Sequence, residues 1–94
     1  MNLRDIKKDI EYVIGAFVDD CTAFLTLNPG KDAEQISALI DEAVDLFNGL
    51  RDRINAPEGG KKAYFTALRK ELLEKTDGMY DRLSEIVKRN YKNA

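Results

Sequence analysis

The chain has 94 residues, 44% hydrophobic and 34% charged, with 15 basic against 17 acidic side chains and a formal net charge of −2. That balance excludes a disordered chain, and no apolar run approaches the roughly 18–20 residues of a membrane span, so one soluble domain covering 1–94 is expected. Histidine is absent and Cys21 is the only cysteine, which removes the commonest general base and metal ligand, forbids an intrachain disulfide and fits a reducing, cytoplasmic setting.

The N-terminus alternates charged and apolar residues (Leu3-Arg4-Asp5-Ile6), unlike a secretory leader. A first helix is predicted over about 3–27. Its apolar stripe is Leu3, Ile6, Ile10, Val13, Phe17, Cys21 and Phe24, and Ile14, Val18 and Leu25 widen it. That width suits a bundle better than a two-stranded seam. Asn28-Pro29-Gly30 ends the helix, because proline disfavours helical geometry before it and glycine tolerates positive φ.

The second helix is predicted over about 32–55. Asp32 reads as its N-cap, with Gln35 as capping-box partner. Its stripe is Ile36, Ile40, Ala43, Phe47, Leu50 and Ile54, flanked by Leu39 and Leu46. Asn55-Ala56-Pro57-Glu58-Gly59-Gly60 forms the second break. The third helix is predicted over about 61–91, with a stripe of Phe65, Leu68, Leu72, Thr76, Met79, Leu83 and Ile86. Leu73, Tyr80 and Val87 form its flanking line, and Gly78 is the point at which it could kink.

Short breaks make neighbouring helices antiparallel, so the expected fold is all-α, an up-down-up three-helix bundle with a longer third helix. At 1.5 Å per residue the first two helices would be about 36 Å long and the third about 46 Å. The excess predicts an overhang carrying Ile86, Val87 and Tyr91, and unpartnered apolar residues there would mark self-association or capture of a helical partner.

Candidate chemistry is sparse. Glu42/Asp45, Glu71/Glu74 and Glu74/Asp77 are i, i+3 carboxylate pairs, a spacing that can hold Mg²⁺ for nucleotide hydrolysis but is also common on solvated helix faces. Without histidine, no base activates Cys21, and Asp19-Asp20 opposes its thiolate, so inert packing is expected. Ser37 and Ser84 likewise lack a base. Asp20 either turns outward or pairs with a base of the third helix, and Thr76 is expected to bond its own i−4 carbonyl.

Charge is sorted along the chain. Residues 9–50 carry nine acids against Lys31 alone, a balance of −8, whereas residues 51–94 carry eleven bases against seven acids, a balance of +4. Folding up-down-up would line the acids into a waist, with Arg69, Lys70, Lys75 and Arg82 of the third helix facing it. It would also gather Arg4, Lys7, Lys8, Arg51, Arg53, Lys61 and Lys62 at one end, where Lys61-Lys62 opposes the helix dipole and could meet an anion. The expected function is a small non-enzymatic interaction or assembly module, homo-oligomeric or bound to a helical protein, with no cofactor, metal or membrane. Anion or nucleic-acid binding at the basic end is the alternative, and a Mg-dependent hydrolase the third.

Overall fold

The computed structural model describes residues 3–55 and 59–92. They form three helices, α1 (Leu3–Leu27), α2 (Ala33–Ile54) and α3 (Lys61–Lys92). Each packs against the other two, in a rod of 51 × 17 × 16 Å. Cross-helix pairs set the directions. Asp9 meets Arg69 and Asp20 meets Tyr80, both 60 residues apart, so α1 and α3 run parallel. Glu42 meets Arg82 and Arg53 meets Glu71, so α2 runs against α3. This is the expected all-α up-down-up bundle. α3 passes through Gly78 without interruption.

The first break works as its residues dictate. Asn28 donates to Phe24 O from both its backbone N (2.9 Å) and its side-chain amide (3.2 Å), closing α1. Gly30 then takes φ 80°, a left-handed conformation that suits glycine. Asp32 is the N-cap of α2 but not by the expected capping box. It stands at φ 51° and makes no side-chain cap bond. Its Oδ2 instead accepts from Asn90 Nδ2 at 2.8 Å and lies 3.3 Å from Arg89 Nη2, while Gln35 Oε1 accepts from Arg89 at 2.9 Å. The capping residues therefore bind the end of α3 rather than their own helix.

That clasp also corrects the overhang. Ile86 is only 6% exposed, within the core, and Val87 packs against it. The 60-residue offset explains this: α3 is matched first by α1 and then, over its last turn, by the connection into α2. Length counted from helices alone leaves out the turn that covers the excess. The backbone of Tyr91 belongs to α3, and its side chain lies outside the described residues.

The core is one cluster from all three helices, centred on Phe17, Ile6, Ile10, Ile36, Leu50, Leu68 and Leu72. The ring of Phe17 meets Tyr80 edge-on, with centroids 4.9 Å apart at 88°, a preferred aromatic geometry. α3 buries its predicted stripe throughout, including Thr76, whose hydroxyl donates to Leu72 O at 2.5 Å. In α1 and α2 the buried line follows the predicted one over most of its length and departs from it at a few positions. Ile14 and Leu39 are buried, while Val13, Ile40 and Phe47 are only half-buried. Adjacent apolar positions on one helix differ only in where its two neighbours sit, and that placement buries Ile14 over Val13 and Leu39 over Ile40.

Candidate functional site

The three seams of the bundle are finished differently. Among the described residues, every side-chain hydrogen bond or ion pair between helices involves α3 or its cap partner Asp32. α1 and α3 are joined by Arg69 Nε donating to Asp9 Oδ2 at 2.8 Å and by the Tyr80 hydroxyl donating to Asp20 Oδ2 at 2.9 Å. α2 and α3 are joined by Arg82–Glu42 at 2.6 Å, by the Arg53–Glu71 pair and by the Asp32 clasp. Two of the four bases expected to face the acidic waist, Arg69 and Arg82, do so. Lys70 and Lys75 instead pair within α3, with Glu74 and Glu71. Among the described residues no such polar pair crosses the α1/α2 seam.

Outside that seam lies a groove of about 380 Å³ lined by Glu11, Ile14, Gly15, Val18, Val44 and Phe47. All but Glu11 are apolar or glycine. Val44 is 46% exposed, and Phe47 and Val18 are half-buried. These are the residues that the turned stripes of α1 and α2 leave on the outside. Gly15 sits in the groove wall, and a Cβ there would meet nothing within 4 Å, so the backbone of α1 is open to close approach. A larger groove, about 450 Å³, follows the α2/α3 seam past Leu46, Gly78 and Met79, but Glu42 and Arg82 line it and pair across it.

The predicted basic end is partly assembled. Lys7 and Arg51 line one cleft with Ile10, Phe47, Ile54 and the acid Glu11, directly below the apolar groove. Arg53 is diverted to Glu71. Arg4, Lys8, Lys61 and Lys62 are exposed, and among the described residues none of these four, nor Lys7 or Arg51, has a side-chain partner. At the other end of the same face the sign reverses. Asp19 is one turn beyond Gly15, and Asp41 is three residues before Val44 on the facing helix. Both are exposed and, among the described residues, without a side-chain partner. The helical period keeps them on the groove side, whereas Asp9, Asp20 and Glu42 turn to α3.

Other polar groups sit in contacts within the bundle. Partial burial pushes the Glu71 carboxyl up, but the hydrogen bond and charge of Arg53, with Lys75 behind, outweigh it and hold it below the ordinary carboxylate range. Glu74 and Glu42 likewise sit against bases. Among the described residues no group of three or more acidic, cysteine or histidine side chains converges as a metal site. Burial and the nearby Asp20 charge push the Cys21 thiol up to about 11, in line with the inert packing expected. Burial and the bond to Asp20 push the Tyr80 phenol up to about 12. Among the described residues no helix is long and apolar enough to cross a membrane.

The apolar groove was not among the predicted sites: Val18 was read as widening the α1 stripe, Phe47 as part of the α2 core stripe, and Val44 was not singled out. The signal was which of two adjacent apolar lines faces the core, and that depends on where α3 docks. The chain matches no protein-family model, no curated protein and no solved structure.

Proposed function

We propose that this chain is a non-enzymatic helical assembly module that associates with a second copy of itself. The observation that carries this reading is the apolar groove at the α1/α2 seam. Its lining is apolar apart from Glu11, and among the described residues no polar pair closes it and the charges at its two ends are unpaired. Apolar surface of this kind, rimmed by charge, is how contact faces differ from ordinary solvated helix faces.

The test is mass in solution across protein concentration. The reading expects a species of about twice the 10.7 kDa chain mass, shifting toward the monomer on dilution as any mass-action equilibrium must. A mass that stays at 10.7 kDa at the highest concentrations reached contradicts self-association.

A further inference from the structure

We infer that the α1/α2 face is a two-fold interface, on which a second copy lies antiparallel so that its Lys7/Arg51 end meets the Asp19/Asp41 end of the first. This deepens the assembly reading and rests on it, adding the face, the occupant and the orientation.

The occupant follows from the order of charge along the face. Contacts across the seam fix relative height: Lys7 and Ile10 lie beside Arg51 and Ile54, while Ile14 and Val18 lie beside Val44 and Phe47. Continuing that antiparallel register sets Asp41 level with the Asp19–Asp20 turn of α1. The basic cluster is thus at the height of residues 7–10 of α1 and the acidic pair at residues 19–20. Their midpoint is near residues 14 and 15, where the groove and Gly15 lie. Glu11 lines both the basic cleft and the groove, so the basic end keeps a net positive charge from Lys7 and Arg51 against one acid. A surface with a net cationic end, a mostly apolar glycine-walled centre and an anionic end is complementary to its own copy rotated by 180° about that centre. Two-fold interfaces require such self-complementarity, because the same patch serves both partners. The pairing would give the unpaired Lys7, Arg51, Asp19 and Asp41 their partners and cover Val44 and Phe47.

The size is sufficient. A helix of α1's 25 residues is about 37 Å long, and with the rod's 17 Å width the face has a footprint of roughly 600 Å² per copy, near the lower end of specific, stable interfaces.

The test uses the full chain. Gly15→Arg puts a bulky cation in the centre of the groove. It replaces a helix-interior glycine with a better helix former at a site with room for a Cβ, so the monomer should keep its fold. Gly49→Arg is the matched control, because Gly49 is also interior, also has open space around its Cβ and lines neither α1/α2 cleft. Arg51→Glu and the reciprocal Arg51→Glu/Asp41→Arg test the orientation. Sedimentation equilibrium, with circular dichroism to confirm folding, should show wild type and Gly49→Arg dimeric and Gly15→Arg monomeric and helical. Arg51→Glu should weaken the dimer by tenfold or more, and the double swap should restore it. A wild type that is monomeric at every concentration overturns both this interface and self-association. A dimer that survives Gly15→Arg, or a charge swap that rescues nothing, overturns the face or the orientation while leaving self-association intact. A monomeric wild type that instead binds a different protein, and loses it with Gly15→Arg, overturns the second copy as occupant.

Discussion

Single residues show where local chemistry is overruled by distant partners. Asp32 has the sequence signature of a helix cap, yet its carboxylate is bound by Asn90, 58 residues away, and by Arg89. The Asn90 amide bond, helped by the Arg89 charge and opposed by slight desolvation, holds its carboxyl below the ordinary range. A carboxyl with a lowered folded-state pKa adds stability above its unfolded pKa, and that contribution is lost as pH falls through the folded value. Asp32→Asn removes this titration. Melting curves should therefore show wild type losing more stability than the variant between about pH 5 and about pH 3. Equal losses would mean that the clasp does not form. Cys21 tests burial: with its pKa near 11 and its side chain fully covered, it should react slowly with a thiol reagent at pH 8 and quickly in denaturant. Its packing role was legible in advance because no base accompanies it, whereas the role of Asp32 depends on a stagger that local sequence does not encode.

At the scale of elements, helix existence and bounds were legible because the breaks are chemically strong. Asn28-Pro29-Gly30 and Gly59-Gly60 leave no doubt about where periodicity stops, and the predicted starts and ends fall within a residue of α1, α2 and α3. Facing was less legible. Ile14 displaced Val13 and Leu39 displaced Ile40 as buried residues, because adjacent apolar lines on one helix are separated only by the position of a neighbour. Two substitutions probe the elements. Phe17→Ala should cost about 3–5 kcal/mol in chemical denaturation, since it empties the centre of the core where α1 meets Tyr80. Gly78→Ala should stabilise by about 0.5–1 kcal/mol, raising the melting temperature by a few degrees, because Gly78 is interior to α3 and a Cβ there meets nothing within 4 Å. Destabilisation by that alanine would show that α3 needs glycine's freedom to bend.

At the scale of the molecule, the sorted charge resolves into two uses. Acids that face α3 are taken up by Arg69, Arg82 and Tyr80, exposed pairs worth little each but consistent with one stagger of the helices. Among the described residues, Lys7, Arg51, Asp19 and Asp41 on the α1/α2 face have no side-chain partner. The sequence displayed the asymmetry but could not divide it, because the division depends on which side of α1 and α2 receives α3. The overhang expectation failed for a related reason: the connecting turn, not only the helices, covers α3. Of the predicted basic end, the structure brings Lys7 and Arg51 into one cleft and pairs Arg53 with Glu71; in the proposed dimer that cleft is one half of a self-complementary face.

The central claim is that this bundle assembles through its α1/α2 seam. Sedimentation equilibrium of wild type beside Gly15→Arg tests it most directly. Wild type should have about twice the 10.7 kDa chain mass, and the folded variant the single-chain mass. Wild type and variant with the same mass, whether one chain or two, would contradict it.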